Sequence, residues 1–246
     1  LSDLLYSLKD TEFLFNLFGY ISFRSGLSLV TSFFVVLILM PYWIRIQHSF
    51  FPSGQPIRND GPDTHYHKKG TPALGGVLIL FSIILSSILW TSNFSSFNYI
   101  LILTLILFGL IGFVDDFQKI KFGKGISSKI KFLSQLFATL VIYFIVKYCG
   151  FDLNKFSIPF LKNVSIELGY FYFVLILLIV IGSTNATNLT DGLDGLVSMP
   201  LIFVFLTFAI FAYVLGNINF SDYLLVNYIK GSGEIVIFCT SAIGAL

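Results

Sequence analysis

Two adjacent aspartates, Asp115 and Asp116, stand where a long apolar run gives way to the polar stretch QKIKFGKG, and Lys119 follows the first at i,i+4. On a helix that spacing brings a carboxylate and an ammonium together. A salt bridge closing the helix accounts for one aspartate and leaves the second unexplained. A carboxylate at the edge of a bilayer needs water, a cation or a partner to receive it. Paired carboxylates beside lysines therefore suit chemistry on a phosphate or a bound cation.

A second cluster lies in NATNLTDGLDGL, residues 185–196, where Asn185, Asn188, Asp191 and Asp194 recur at every third position and Gly192 and Gly195 follow the two aspartates. A turn here would aim several amide and carboxylate groups at one ligand, and a solvated loop has no need of so ordered a repeat. A third, DTHYHKKGTPALGG at residues 63–76, offers Lys68 and Lys69 ahead of Pro72. Proline is well placed in a first helical turn, and a helix N-terminus attracts anions. On pattern alone this stretch also reads as a plain basic membrane anchor, its glycines serving to pack helices.

The elements that hold these residues are set by composition. The 246 residues are 56% hydrophobic and 11% charged, against ~25% charged in an ordinary globular domain, which excludes a water-soluble protein. Residues 25–44 carry no charge, and a helix of about 20 residues spans the ~30 Å hydrocarbon core. Residues 70–114 are also uncharged. At 1.5 Å per residue they would make about 67 Å of helix, enough for two crossings, with TSNFSSFN at 91–98 as the turn. Further spans are expected at about 132–148, 170–184 and 196–215, and a last one begins near Ile235. FSIPF and VSIEL alternate across LKN, which predicts a short β-hairpin within 150–168. Cys149 and Cys239 make neither a disulfide framework nor a metal site.

Basic residues collect in cytoplasmic loops. Arg45, Arg58, Lys68 and Lys69 lie in the loop at 45–71, and Lys119, Lys121, Lys124, Lys129 and Lys131 lie in that at 115–131. These loops and the one at 185–195 are thus expected on the cytoplasmic face, with the N-terminus outside. The same loops hold Asp60, Asp63, Asp115, Asp116, Asp191 and Asp194, whereas Glu12, Glu167 and Glu234 lie elsewhere. Short carboxylates suit Mg²⁺, which binds through one or two of them plus substrate phosphates. The histidines His48, His65 and His67 fall at or within the first of these loops.

Taken in chain order and on one face, the segments resemble the polyprenyl-phosphate N-acetylhexosamine-1-phosphate transferase superfamily, and most of all its peptidoglycan branch. GTPALGG resembles the family's GTPTMGG with Ala73 and Leu74 substituted, DDFQK fits its DDxxK, and NATNLTDGLDGL is similar to NAVNLTDGLDGL with Thr187 in place of valine. KGISSKIKFLSQ, residues 124–135, resembles KGLSxKxKxxxQ, and GEIVIFC is similar to the start of the family's seventh helix. The resemblance implies an all-α polytopic membrane protein of about six full transmembrane helices plus the start of a seventh, in one domain over 1–246, in the bacterial inner membrane. A homodimer is an open possibility.

The resemblance also implies the reaction: UDP-N-acetylmuramoyl-pentapeptide and undecaprenyl phosphate give lipid I and UMP, with Mg²⁺ as cofactor and no nucleic acid involved. By similarity, Asp115, Asp116, Lys119 and Asp191 form the catalytic set, and the three aspartates are metal-ligand candidates. Asp115 would take the proton from the lipid phosphate or orient it for attack on the β-phosphorus. Lys68 and Lys119 would neutralise charge and Asn188 would complete the polar centre. Gly192, Leu193 and Asp194 would hold the uracil end, with Thr71 at the same site. The family's further aspartate motif and histidine-rich loop lie beyond its seventh helix, so residues 1–246 alone are expected to lack transferase activity and to bind Mg²⁺ weakly.

Two other readings remain open at this point. A sister enzyme transferring N-acetylglucosamine-1-phosphate to the same lipid shares the metal and diphosphate motifs, although NLTDGLDGL and GTPALGG favour the muramoyl branch. A cation-coupled transporter would carry its carboxylates near the bilayer midplane, not in loops and at helix ends.

Overall fold

The computed structural model describes residues 1–10, 12–51, 74–151, 153, 155–158, 165–191 and 195–246. A short helix α1 (Ser2–Tyr6) and a 3₁₀ segment, Phe13–Gly19, precede the long helices α2 (Ile21–Phe50), α3 (Gly75–Trp90), α4 (Ser96–Phe122) and α5 (Ser128–Tyr148). Strands β1 (Lys155–Ser157) and β2 (Ser165–Glu167) pair antiparallel with Phe156 opposite Ile166, as the alternation in this region predicts. Then come α6 (Phe171–Thr190), α7 (Ser198–Leu215), the short α8 (Ile218–Tyr223) and α9 (Ile235–Ala245). Five of these, α2, α4, α5, α6 and α7, are long and apolar enough to cross a membrane, and α3 and α9 are shorter apolar helices. The expected all-α polytopic architecture is therefore the observed one.

Two boundaries differ from the sequence reading. Helix α4 does not stop at the aspartate pair but runs on to Phe122, because no breaker intervenes before Gly123, whose left-handed backbone (φ 73°) closes the helix with its N–H on Lys119 O at 2.9 Å. Lys119 and Lys121 in the last turn also suit the negative end of the helix dipole. Likewise α6 continues through Asn185 and Asn188 to Thr190, so these amides project from a helix and not from a turn.

The buried centre is a three-helix unit of α2, α3 and α9. Its seam is made of serines. Ser28 meets Ser86 at 3.2 Å and donates to Ile237 O; Ser32 meets Ser82 at 3.1 Å and donates to Ser241 O; Ser87 meets Ser241 at 2.9 Å. Lipid chains are as apolar as leucine, so helices in a bilayer associate through close packing of small residues and interhelical hydrogen bonds. Gly244 serves the same approach, since a Cβ there would collide with the backbone of Leu29. Large apolar side chains such as Leu178, Phe203 and Phe208 point outward, as a bilayer solvent requires.

One end of this unit is locked by charge. Arg24 on α2 and Glu234, the residue before α9, form a two-pronged pair at 2.7 and 2.8 Å, 3% and 8% exposed. Arg24 also donates to Trp90 O at 3.1 Å, and Ser92 gives Glu234 its N–H and hydroxyl, both at 3.3 Å. At the opposite end, Leu74 is held on both backbone groups: its carbonyl accepts from Trp43 Nε1 at 2.9 Å and its N–H donates to Gln47 Oε1 at 3.2 Å. The first turn of α3 is thereby anchored to the last turns of α2. Phe51 packs edge-on against Phe117 at 5.9 Å, which brings the aspartate-bearing part of α4 to that same end.

Candidate functional site

Asp115 lies on the face of α4 turned toward α5, and it is buried although charged. Its Oδ2 accepts from Lys119 Nζ at 2.9 Å and from Lys131 Nζ at 3.4 Å, and its Oδ1 accepts from the backbone N–H of Ile126 at 2.9 Å. A buried carboxylate is tolerated when opposite charge and hydrogen bonds surround it, and both its oxygens are engaged here. Asp116, with its side chain 38% exposed, meets Lys119 Nζ at 2.8 Å. Lys119 thus bridges both carboxylates, and the i,i+4 contact expected from sequence is present.

The turn between α4 and α5 makes this possible. Gly125 has no side chain where a Cβ would come 2.5 Å from Asp115 Oδ1 and 3.1 Å from Lys119 Cε. Its absence lets the chain lie against the carboxylate and present the Ile126 N–H. Ser127 then caps α5, accepting from Ile130 N–H at 3.4 Å, and the first turn of that helix delivers Lys131.

One turn further along α5, Gln135 is 1% exposed and forms a reciprocal amide pair with Asn185 of α6. Asn185 Nδ2 donates to Gln135 Oε1 at 2.9 Å, and Gln135 Nε2 donates to Asn185 Oδ1 at 3.4 Å. Beyond it on α6, Asn188 and Asp191 are exposed, Asp191 closing the helix with its N–H on Thr187 O at 3.1 Å. Among the described residues no hydrogen bond or ion pair joins Asn188 or Asp191 to Asp115, Asp116 or Lys119. Lys68, Thr71, Gly192, Leu193 and Asp194 lie outside the described residues.

The donor set suits a hard cation. Mg²⁺ binds through one or two carboxylates together with water and substrate phosphate, and Asp116, paired with Lys119 but 38% exposed, and Asp191 are the carboxylates open to solvent. Asp115 would have to release a lysine to join them. Among the described residues no three His, Cys, Asp or Glu side chains converge as a metal cage.

Sequence reasoning singled out Asp115, Asp116 and Lys119 and missed the individual roles of Gly125, Lys131 and Gln135. All three lie in the segment 124–135 whose pattern it noted, and the i,i+4 spacing of Lys131 and Gln135 on one helix face was the available signal.

The sequence profile of glycosyl transferase family 4 matches residues 98–245, a stretch that includes Asp115, Asp116, Lys119, Asn188 and Asp191 but not Lys68 or Thr71. The chain is 42% identical over 98% of its length to a phospho-N-acetylmuramoyl-pentapeptide-transferase of Desulfotalea psychrophila, covering 68% of that protein. It is 44% identical over 98% of its length to the protein of that name in Desulforapulum autotrophicum, covering 67%, and 38% identical over 94% to that of Rickettsia prowazekii, covering 64%. The chain spans about two thirds of the length of these relatives. Neither an N-acetylglucosamine-1-phosphate transferase nor a transporter is favoured by these likenesses. The chain belongs to glycosyl transferase family 4, alongside the phospho-N-acetylmuramoyl-pentapeptide-transferases.

Proposed function

We propose that the protein transfers phospho-N-acetylmuramoyl-pentapeptide from its UDP-linked donor to undecaprenyl phosphate, giving lipid I and UMP at the cytoplasmic face of the bacterial inner membrane. The observation that carries this reading is the buried Asp115 gripped by Lys119 and Lys131 where α4 passes into a lysine-rich turn. Such a site meets the acceptor's phosphate at the membrane edge, and its lysines offset the repulsion between a lipid phosphate and a diphosphate. The names of the relatives supply the transferred group, the resemblance of the motifs implies the lipid acceptor, and the lysines of the turn favour its cytoplasmic placement.

In the exchange, an oxygen of the acceptor phosphate bonds to the β-phosphorus of the donor, and the bond from that phosphorus to the UMP oxygen breaks. The arriving phosphate competes with Asp115 for Lys119 and Lys131. A lysine drawn to the phosphate frees Asp115 Oδ2 to orient the acceptor and accept its proton. Asp116 and Asp191 would hold Mg²⁺, which supplies charge stabilisation for the diphosphate and the leaving UMP. Asn188 would complete the polar wall, with Lys68, Thr71, Gly192, Leu193 and Asp194 as the donor-binding set.

The test is transfer of labelled sugar phosphate to undecaprenyl phosphate by the full-length protein with Mg²⁺, with Asp115→Asn alongside. Lipid I formed from the muramoyl donor and lost in the variant supports the reading. Product from UDP-N-acetylglucosamine alone would replace it with the sister reaction, and an Asp115→Asn protein as active as its parent would remove the site.

A further inference from the structure

We infer that the Gln135–Asn185 amide pair is a positioning device that sets the separation between the Asp115–Lys131 half of the site on α4 and α5 and the Asn188–Asp191 half on α6. This rests on the transferase reading above. Among the described residues, Asn188 and Asp191 have no direct bond to the carboxylate cluster, so their placement depends on how α6 sits against α5. Among the described residues, the side-chain hydrogen bonds between those two helices at this end are the two of the amide pair.

The pair is built for register. Gln135 is 1% exposed, and each amide both gives and receives, so sliding one helix along the other breaks both bonds. One end is fixed locally as well, since Asn185 Nδ2 also donates to Ile181 O at 2.9 Å. Lys131 lies one turn before Gln135 on α5, and Asn188 and Asp191 lie one and two turns after Asn185 on α6. A shift at the pair is transmitted to both halves. Misplacement by about 1 Å is enough to slow a reaction roughly a hundredfold.

The chemistry of the pair provides the test. Shortening one amide and lengthening the other keeps the total reach, so Gln135→Asn combined with Asn185→Gln preserves a reciprocal pair that either single change breaks. Replacing both by apolar residues of similar shape, Gln135→Met with Asn185→Leu, removes the bonds and leaves no unpaired buried group, so the helices still pack.

Steady-state kinetics of the full-length protein in defined lipid, with thermal unfolding of each variant, separates the outcomes. Each single variant is expected to lower kcat roughly ten- to a hundredfold with KM for both substrates within about threefold. The exchanged double variant recovers at least tenfold of that loss, and the apolar double variant melts like the parent yet stays slow. Parent-like kcat in the folded apolar double variant, or no recovery in the exchanged one, would overturn the inference while leaving the transferase reading intact. A parent protein inactive on every donor would overturn both.

Discussion

Lys131 reaches back from the first turn of α5 to bring its ammonium 3.4 Å from Asp115 Oδ2, the oxygen that Lys119 holds at 2.9 Å. Lys119 is shared with Asp116 at 2.8 Å, so the two lysines balance the two aspartates, and Lys131, the more distant of the two cations on Asp115, is the one an incoming phosphate can draw away. Replacing Lys131 by Met is therefore expected to lower kcat/KM for the lipid acceptor by roughly 10²-fold and leave the folded yield unchanged. Steady-state assays with the acceptor varied check this, and unaltered acceptor kinetics would remove Lys131 from the phosphate site.

Gly125 and Gly123 make a paired test of the turn. Gly125→Ala would force a Cβ to 2.5 Å from Asp115 Oδ1, so activity is expected to fall at least about tenfold through loss of the Ile126 contact, a change of about 1.4 kcal/mol in barrier. Gly123→Ala has open space around it but a φ of 73°, and its expected effect is about 1 kcal/mol of stability with near-parental turnover. Equal effects on turnover in the two variants would contradict this account.

Removing one member of the buried Arg24–Glu234 pair leaves the other charged and unmatched. Glu234→Ala is expected to destabilise the protein by about 3 kcal/mol, read as a lowered midpoint of thermal unfolding in detergent. The double variant with methionine at both positions is expected to lie within about 1 kcal/mol of the parent. A Glu234→Ala protein as stable as the parent would mean that water already reaches this end.

The serine seam predicts small effects and the glycine beside it a larger one. Ser86→Ala removes one hydrogen-bonding group from a redundant set, worth about 0.6 kcal/mol in a membrane. Gly244→Ala drives a methyl group into the backbone of Leu29 and should lower stability by roughly 1–3 kcal/mol. Thermal unfolding of the two variants side by side checks the order.

The spans were legible because each has a long apolar core and its charges gather toward the ends, and Lys119 was legible because i,i+4 is a local relation. Helix ends were less so. Nothing in DDFQKIKF breaks a helix, and the reading that stopped the span at the aspartates followed polarity, whereas the backbone continued to Gly123. Contacts between distant segments were not legible at all. Arg24 reads as the boundary of a span, and only the fold brings it to Glu234, 210 positions away. Lys131 and Gln135 fell between these cases, visible as a pattern but silent as to partner until the turn at Gly125 was seen.

The union of Arg24 with Glu234 also imposes a timetable on biosynthesis. At about 5–20 residues per second, the carboxylate emerges roughly 10–40 seconds after the guanidinium. Until then, the Trp90 carbonyl is the other described acceptor for the Arg24 guanidinium. The two-pronged bond to Glu234 therefore closes this end of the α2–α3–α9 unit only after α2 and α3 have both been made.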